Sequence, residues 1–374
     1  MNTPRFEYSR STIEKTLRLL LGLSLPYGLA VRYAIKANPH PEIIKMMHER
    51  GVHFDASSSY EAEELLNQGI QGNKISLSSQ QSPHNLEALL NAGVLFTATS
   101  INQLKLFLNC ASHPNVVGVR INPAFGAGHN NRTSTGGTSA SFGIWYEYID
   151  EVLILAKAEQ VTINKLHIHI GSGADSAVWQ EVMERSLAVV EKLPDVVTLD
   201  IGGGYKIHRY GDEKEADMPE IVAMFGKQLQ LFFEKTGRKI SLEIEPGTYL
   251  IAHTGTLVAS IDDIVDTGSD GYTFLRLNTG MNDFLRATLY GSRHTIEVMN
   301  ESSATKEYVV VGHNCESGDI LSPGNGNPEE IETRTLKEAH IGDEVRIYDA
   351  GAYCASMRAK GYNSFPDAIE VMVD

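Results

Sequence analysis

The sequence predicts an α/β fold, a (β/α)8 barrel followed by a second, mostly β domain. Three observations support this prediction. From about residue 28 the chain alternates strand-like and helix-like segments, eight candidate strands fall within about 220 residues, and helical periodicity fades after Gly247. A length of 374 residues suits about two domains. A doubly wound open sheet would show the same alternation, so that alternative stays open at this stage.

The candidate strands are short runs rich in aliphatic side chains, each bounded by turn residues. They lie at 29–36, 52–57, 75–78, 94–99, 116–122, 165–170, 196–201 and 241–246. An amphipathic helix is expected before the first of them. Its apolar face is formed by Ile13, Leu17 and Leu20.

Helix starts fall between the candidate strands. Pro41 suits the first turn of a helix, and Ser58 with Glu61 forms a capping box. Ser82 followed by Pro83 predicts a further helix, with the serine at the N-cap. Each helix therefore begins shortly after a strand ends, as a barrel requires.

Beyond Gly247 the chain is typical of a β domain. Short β-like runs lie at 256–260, 272–277, 307–312, 343–348 and 367–373. The segment 322–328, rich in Gly, Pro and Asn, is predicted to be a loop between two of them. Residues 125–143, rich in Gly, Ser, Thr and Asn, are expected to form an active-site loop.

Charge and composition exclude several classes of protein. Lys and Arg number 32 against 47 Asp and Glu, a net charge of −15, which argues against nucleic acid or an anionic membrane as a partner. The longest uncharged apolar stretch, 19–31, is shorter than the roughly 20 residues of a membrane-spanning helix. We expect no targeting segment. Three cysteines (Cys110, Cys315 and Cys354) do not make a disulfide framework and favour a reducing, cytoplasmic location.

Four candidate strands carry charged or imidazole side chains on one face and aliphatic ones on the other. The polar residues are Arg32, Lys36, Arg120, His167, His169, Glu243 and Glu245. A barrel interior is normally apolar, so buried charges there must meet a ligand or each other. Taken singly, a lysine, histidine or glutamate in a strand is more often structural. Their shared parity, and positions near the strand ends where barrel active sites lie, favour a functional site.

Glycines mark the ends of the last two candidate strands. Gly202, Gly203 and Gly204 follow the seventh strand, and Gly247 follows the eighth. Backbone N–H groups can approach an anion closely there, and barrels often bind phosphate at these two loops. A phosphate site beside a lysine, an imidazole and a carboxylate indicates pyridoxal phosphate. The lysine would hold the aldehyde, and the carboxylate would keep the pyridine nitrogen protonated.

Six short motifs occur in a characteristic order. They are Tyr-Ala-Ile-Lys-Ala-Asn at 33–38, His-Ile-Gly-Ser-Gly at 169–173, Gly-Gly-Gly at 202–204, Glu-Pro-Gly at 245–247, Cys-Glu-Ser-Gly-Asp at 315–319 and Gly-Ala-Tyr-Cys at 351–354. Any one of them is a weak signal. Together they resemble the fold-type III pyridoxal phosphate-dependent decarboxylases, most closely the diaminopimelate decarboxylases, over nearly the whole chain.

The resemblance implies a barrel of the alanine-racemase type over 25–248. Residues 1–24 would join 249–374 in the C-terminal β domain. It also implies a homodimer whose active site is shared across the interface, with a small amino acid as substrate. The expected cofactor is pyridoxal phosphate, with no metal. The cofactor-binding residues would be Lys36, Asp55, Arg120, His169, Ser172, Gly202, Gly203, Gly204, Glu245, Gly247 and Tyr353.

The resemblance also assigns catalytic and substrate roles. Lys36 would carry the cofactor and His169 would stack on its ring, while Cys315 would donate a proton from the partner subunit. The substrate would be held by Arg286, Tyr290, Glu316 and Tyr353. The expected reaction converts meso-diaminopimelate to L-lysine and CO2.

One position departs from the pattern of the resembled family. Thr248 follows Glu-Pro-Gly, where that family commonly has an arginine. Without that guanidinium a distal carboxylate of the substrate would be bound more weakly. Another arginine takes its place, with Arg132, Arg286 and Arg293 as candidates, or the substrate differs. Ornithine, lysine or a carboxylated polyamine such as carboxynorspermidine is therefore an alternative substrate.

Two other function classes are compatible with part of this residue set. His167, His169, Glu243 and Glu245 have side chains that ligate zinc, which would suit a metal-dependent hydrolase. A catalytically dead homologue or cofactor carrier would be a non-enzyme. The presence of both Lys36 and Cys315 argues against the second alternative.

Overall fold

The computed structural model describes residues 3–126 and 135–374, which form two compact units. The first unit comprises Met1–Thr16, Ile207–Glu213 and Thr248–Asp374, and the second comprises Leu17–Lys206 and Lys214–Gly247. Arg132 and the middle of the predicted active-site loop lie outside the described residues. Within the described ranges no helix is both long and apolar enough to cross a bilayer.

The helices follow one another along the chain. They are α1 (Arg10–Leu21), α2 (Pro41–Glu49), α3 (Ser59–Asn67), α4 (Leu86–Asn91), α5 (Ile101–Leu108), α6 (Ile149–Ala158), α7 (Ser176–Lys192), α8 (Met218–Thr236), α9 (Thr248–Ile251) and α10 (Leu285–Tyr290). The apolar face predicted for α1 is buried, with Ile13, Leu17 and Leu20 at most 1% exposed.

The strands up to Gly247 are mostly those of the barrel. They are β1 (Arg5–Ser9), β2 (Leu29–Ala34), β3 (His53–Ala56), β4 (Ile75–Leu77), β5 (Leu95–Ala98), β6 (Val116–Asn122), β7 (Ile144–Trp145), β8 (Thr162–His167), β9 (Thr198–Asp200) and β10 (Ser241–Ile244). The later strands are β11 (Gly255–Asp266), β12 (Thr273–Leu277), β13 (Ile296–Met299), β14 (Thr305–Val311), β15 (Pro323–Gly324), β16 (Asn327–Ile331), β17 (Arg334–Lys337), β18 (Glu344–Ile347) and β19 (Ile369–Val373).

Eight parallel strands of the second unit close into a barrel. Their order is β5-β4-β3-β2-β10-β9-β8-β6, and pairing of β5 with β6 completes the ring, with β7 added beside β6. The predicted (β/α)8 barrel is thus confirmed, and the doubly wound open sheet is wrong. Closure places the carboxyl ends of all eight strands around one opening, which is the position of active sites in barrels of this class.

The local helix signals are mostly confirmed. Pro41 opens α2, and the Ser58 hydroxyl accepts the Glu61 N–H at 3.1 Å. The helix start predicted at Ser82 is wrong, because α4 begins only at Leu86 after an N-cap at Asn85.

The cause of this difference is a tertiary contact. The ring of His84 packs against Tyr60 at a centroid distance of 5.2 Å, and its Nδ1 lies 3.3 Å from the Ser59 hydroxyl. These contacts tie the segment before α4 to α3.

Several predicted strands end earlier than expected, and for two of them this moves a predicted site residue out of the strand. Strand β2 stops at Ala34, and Lys36 lies in the 3-10 turn Ile35–Ala37. Strand β8 runs over 162–167, so His169 follows the strand. The positive φ of Gly202, +70°, turns the neighbouring chain away after β9 and ends the ladder there.

The first unit is built on a mixed sheet in which most neighbouring strands are antiparallel, while the pairs β12–β14 and β1–β19 are parallel. Strands β13-β18-β11-β12-β14-β17 lie side by side, and β1 pairs with both β11 and β19. The segment predicted as a loop around 322–328 forms a hairpin instead, since β15 pairs with β16. Gly326, with φ of +68°, permits that tight turn.

Candidate active site

The interior of the barrel is polar. Side chains from different strands meet across it, as when Lys165 of β8 reaches Ser76 of β4 and Glu243 of β10. The buried polar residues of the strands are Arg32, Asp55, Ser76, Thr97, Arg120, Asn122, Lys165, His167, Asp200 and Glu243. This arrangement differs from the apolar layers usual in such barrels, and it bears out the shared parity read from the sequence.

Four charged groups form a closed ionic cluster in this interior. The Arg32 guanidinium donates to both oxygens of Glu243, at 2.8 and 2.7 Å. The Lys165 ammonium lies 2.5 Å from Glu243 and 2.7 Å from Asp200. Burial opposes the lysine charge, but the two carboxylates outweigh it and raise the pKa of Lys165 to about 12. Arg32 and Glu243 therefore neutralise charge within the barrel, and they do not reach toward the strand ends as expected.

A second cluster lies beside the first. A ring nitrogen of His167 and one carboxyl oxygen each of Asp200 and Glu245 all lie within 4.8 Å of one another. His167 Nε2 is 3.5 Å from a Glu245 oxygen. Burial, reinforced by the charge of Asp200, raises the pKa of Glu245 to about 8. Burial also lowers the pKa of His167 to about 3, which keeps this imidazole neutral. The adjacent Lys165 holds the pKa of Asp200 well below its usual range despite burial.

Lys36 stands at the end of the first barrel strand. Its Nζ donates to the Ser57 hydroxyl at 2.9 Å and lies 3.7 Å from Asp55 Oδ2. The side chain is 42% exposed, whereas that of Asp55 is 1% exposed. Burial and the charge of Glu245 raise the pKa of Asp55 to about 7. The result is an accessible amine beside a carboxyl group that titrates near neutrality.

His169 and the glycine triplet form a tightly packed turn. A Cβ on Gly202 would meet His169 Nδ1 at 2.4 Å, and one on Gly203 would meet the Glu245 carbonyl at 2.2 Å. A Cβ on Gly204 would lie 1.9 Å from the carbonyl of Gly171. Glycine is thus required here because the chain segments after β8, β9 and β10 converge.

Three further predicted cofactor-binding residues lie in this unit. Arg120 is buried on β6, with its guanidinium 4.9 Å from the centre of the Phe142 ring. Ser172 follows His169 in the converging turn and is half-buried. Gly247 is buried and immediately precedes α9.

The remaining predicted residues belong to the first unit. The Arg286 guanidinium of α10 lies 5.8 Å from the ring centres of both Tyr290 and Tyr353. Tyr353 adopts a positive φ of 56°, a conformation that is uncommon for a residue with a side chain. These three residues form one group, as their shared predicted role requires.

Cys315 and Glu316 are exposed. The Cys315 N–H donates to Asn363 Oδ1 at 2.7 Å. The Glu316 carboxylate accepts from the Gly318 N–H at 3.2 Å and from the Tyr362 hydroxyl at 3.3 Å, and these donors lower its pKa. The segment is therefore held in place while both side chains stay accessible.

Sequence reasoning missed Arg209 as a site residue. Its Nε and Nη2 are buried and have no hydrogen-bond partner within the described part of the chain, and the same holds for Nε of Arg286. Burial, together with the positive charge of Arg286, lowers the pKa of Arg209 to about 10. His294 Nε2 beside them also lacks a partner. No motif marked Arg209, since only the folded chain brings 207–213 into the unit that contains Arg286.

Sequence reasoning also left Lys165 and Asp200 out of the site. Lys165 is the first residue of the candidate strand 165–170 and precedes His167 by two residues, so the same parity places it on the polar face. Its contacts with Glu243 also weaken the zinc alternative. Glu243, one of the four proposed ligands, is already neutralised by Arg32 and Lys165.

Two family models match the chain over most of its length. Residues 11–252 match the pyridoxal-binding domain of the pyridoxal-dependent decarboxylases, and residues 248–351 match the C-terminal sheet domain of the same enzymes. The chain belongs to the pyridoxal-dependent decarboxylases. It is a carboxy-lyase, and its cofactor is pyridoxal phosphate.

Relatives of this decarboxylase cover it almost entirely. The diaminopimelate decarboxylase of Streptomyces coelicolor is 32% identical over all of this chain and 84% of its own length. That of Escherichia coli K12 is 31% identical over 92% of this chain and 83% of its own length.

Solved structures agree with the fold. A crystal structure of diaminopimelate decarboxylase has a TM-score of 0.90 at 30% identity, covering 99% of this chain and 88% of the other. A lysine/ornithine decarboxylase from Vibrio vulnificus, at 22% identity and a TM-score of 0.82, covers 100% of this chain and 94% of the other and shares the fold.

The barrel residues of this decarboxylase fit the cofactor. Asp55, Arg120, His169 and Glu245 each have a buried polar atom with no hydrogen-bond partner among the described residues. Buried polar groups are normally paired, so this set indicates a polar ligand that completes them. A carboxyl group, an imidazole and an accessible lysine match the ring nitrogen, the ring face and the aldehyde of pyridoxal phosphate.

Proposed function

We propose that this decarboxylase converts meso-diaminopimelate to L-lysine and CO2. The proposal is supported by the relatives of about 30% identity that cover nearly all of the chain and are diaminopimelate decarboxylases. It is also supported by two half-buried arginines, Arg209 and Arg286, which have buried guanidinium nitrogens without a hydrogen-bond partner among the described residues. A substrate with two carboxylates requires positive charge for the one that does not react.

In this proposal the barrel holds the cofactor. Lys36 binds it covalently and Glu245 faces the ring nitrogen, while His169 stacks against the ring. The phosphate is held by the turn of Ser172, Gly202, Gly203, Gly204 and Gly247. When bound, the cofactor supplies an electron sink for the electron pair left at Cα as CO2 departs.

Asp55 and Arg120 complete the cofactor site in this proposal. Asp55 stabilises positive charge on the Lys36 nitrogen, which lies 3.7 Å from it. Arg120 is a buried cation with an orphaned Nη2, suited to an anionic oxygen of the cofactor.

The substrate residues come from the first unit. Arg286 and Tyr290 bind the distal carboxylate. Arg209 supplies a second guanidinium group and so replaces the family arginine whose position is occupied here by Thr248. Tyr353 orders this group by packing beneath Arg286, 5.8 Å from it. Nε and Nη2 of Arg209 and Nε of Arg286 have no hydrogen-bond partner among the described residues, so both guanidinium groups have N–H donors left for an anion.

The enzyme acts as a homodimer with a shared active site in this proposal. Cys315 and Glu316 are exposed yet held in place by hydrogen bonds. Such a segment suits delivery of a proton donor and a carboxylate to the site of a partner subunit. Cys315 reprotonates Cα, and Glu316 recognises the distal amine. We also propose that the enzyme works in the cytoplasm, where its thiols stay reduced.

A monocarboxylate substrate is the second candidate function. Thr248 favours it, because that position lacks the guanidinium expected for a distal carboxylate. Ornithine, lysine or carboxynorspermidine would then be decarboxylated with the same cofactor chemistry.

A product assay distinguishes the two candidates. Purified enzyme with pyridoxal phosphate is incubated separately with meso-diaminopimelate, L-ornithine, L-lysine, L-arginine and carboxynorspermidine, and CO2 and amine are quantified. Lysine from diaminopimelate alone supports the proposal. Turnover of a monocarboxylate in its place contradicts it and assigns the changed specificity to Thr248.

A further inference from the structure

Lys165 is a buried lysine that the proposed reaction does not use. Lys165 is 8% exposed. Among the described residues, its ammonium group contacts Asp200 at 2.7 Å, Glu243 at 2.5 Å and the Ser76 hydroxyl at 3.2 Å, all in the barrel interior. Burying an ammonium group is costly unless it is fully paired. The ammonium donates hydrogen bonds to Glu243 and Ser76 and forms an ion pair with Asp200, so its position is fixed by three contacts.

The two carboxyl groups nearest the expected ring nitrogen have unequal surroundings. Asp200 receives the Lys165 ammonium on one oxygen and the Gly202 N–H, at 3.0 Å, on the other. Glu245 receives no such cation, since its Oε1 is without a hydrogen-bond partner among the described residues. The carboxyl group lies beside neutral His167, 3.5 Å from its other oxygen, and beside Asp200 itself. Two carboxylates this close are not both ionised in a buried site unless cations balance both.

We propose that Lys165 is a positioning residue that keeps Asp200 ionised, so that the single proton of the Asp200–Glu245 pair resides on Glu245. This rests on the proposed function only where Glu245 faces the ring nitrogen. The proton then stands at the carboxyl group that must deliver it, and its transfer to the nitrogen leaves Glu245 as the carboxylate partner of a protonated ring.

The surrounding charges are consistent with this arrangement. Arg32 and Glu243 form the other half of the ionic cluster. Glu243 also binds the Lys165 ammonium and so helps to fix its position. The titratable groups that act on Asp200 or Glu245 from neighbouring elements are Arg32, Lys36, Asp55, Arg120, Lys165, His167, His169, Tyr205 and Glu243. Of the cations among them, Lys165 contacts Asp200 directly at 2.7 Å.

Infrared spectroscopy of the full-length chain freed of cofactor tests the location of the proton. Near pH 7 exposed carboxyl groups are ionised, so a protonated carboxyl band reports buried acids. We expect Glu245→Gln to lose a band that Asp200→Asn retains. We expect Lys165→Met to gain a second band, which disappears in Lys165→Met/Asp200→Asn. All variants are compared in an Asp55→Asn background, because the pKa of Asp55 depends on the charge of Glu245 and its band would not cancel.

A second readout uses the loaded enzyme. Nitrogen-15 NMR of labelled pyridoxal phosphate reports the protonation of the ring nitrogen directly. In Lys165→Met the ratio of protonated to unprotonated nitrogen at a given pH should fall roughly tenfold, because the charge of Asp200 is lost. Lys165→Arg retains the cation and should behave as the wild type. A purely structural lysine would give no such difference between the two variants.

Two results would overturn the proposal. One is a Lys165→Met infrared spectrum identical to that of the wild type, and the other is a wild-type band that Asp200→Asn removes and Glu245→Gln does not. If Lys165→Met does not fold, Lys165→Met/Glu243→Gln, which removes one charge of each sign, answers the same question. Failure of the wild type to bind pyridoxal phosphate would refute the proposed function and leave the infrared result unaffected.

Discussion

The Lys36 Nζ lies 3.7 Å from Oδ2 of Asp55, a buried carboxyl group on the neighbouring strand. Burial and the charge of Glu245 raise the pKa of Asp55 to about 7. The charge beside the lysine therefore changes within the physiological pH range.

Asp55→Asn should lower the pH at which the Lys36 nitrogen of the loaded enzyme loses its proton. A carboxylate at this distance favours the protonated nitrogen, and an amide does not. A shift of about one pH unit corresponds to about 1.4 kcal/mol. The measurement is a pH titration of the visible absorption of the bound cofactor. Glu64→Gln, on the exposed face of α3, is the matched control, and equal titrations in both variants would contradict the role of Asp55.

Lys36→Arg should abolish the visible absorption band of the bound cofactor while leaving the fold intact. Arginine keeps the positive charge beside Asp55 but lacks an amine able to bond to the aldehyde. Absorption spectra of the purified variant with added pyridoxal phosphate test this. Lys105→Arg, at an exposed position, is the control. Persistence of the wild-type band in Lys36→Arg would show that another lysine carries the cofactor.

Cys315→Ala should reduce kcat by about a hundredfold or more and leave cofactor binding unchanged, because only the proton donor is removed. Product analysis should also show transamination in place of simple decarboxylation. Cys110→Ala is the control, since it removes a thiol outside the proposed site and should leave kcat unchanged. Normal kinetics and product in Cys315→Ala would refute the assignment of the proton donor.

Arg209→Gln should raise KM for diaminopimelate roughly tenfold, with a smaller effect on kcat. It removes a charge-assisted hydrogen bond that is made equally in the ground state and the transition state. Steady-state kinetics give the measurement, and Arg276→Gln, in an exposed ion pair, is the control. An unchanged KM would exclude Arg209 from the carboxylate site.

The stability of the cofactor-free chain should fall as pH rises toward 8. The folded-state pKa of Glu245 is raised from 4.5 to about 8, so the folded state binds more protons than the unfolded state within that window. Its contribution is complete below about pH 4.5 and is lost as pH rises through about 8, with a slope of at most about 1.4 kcal/mol per pH unit.

Denaturant unfolding at several pH values measures this dependence. Glu245→Gln does not titrate, so its unfolding free energy should depend less on pH between 5 and 8. Equal slopes for the variant and the wild type would mean that Glu245 is already ionised in the folded chain.

Much of the fold was predictable because its signals are local. Alternation of strands and helices gave the barrel, and strand parity gave its polar interior. Errors arose where a long-range contact overrode a local signal. Ser82 does not begin a helix because His84 packs on Tyr60, and β8 ends before His169 because the glycines of the next strand end the ladder.

The roles of the site residues remain predictions. Some of these residues carried a sequence signal, and others are recognised only in the folded chain. Lys36 and Asp55 lie within 3.7 Å, as a shared role requires. Arg209 carried no sequence signal. It is a candidate because two of its guanidinium nitrogens are buried without a hydrogen-bond partner among the described residues, which only the folded structure shows.

The sequence by itself determined the family, the barrel and the residues able to handle pyridoxal phosphate, because those depend on periodicity and on motifs of adjacent residues. Only the tertiary structure decided which buried charges neutralise one another. Lys165 and Arg32 both form hydrogen bonds with Glu243, although they are separated from it in sequence by 78 and 211 residues, respectively. Pairing between such distant residues follows from closure of the barrel, which places β2 beside β10 and β8 two strands away from it. Their side chains face one interior that excludes the water that would otherwise screen them.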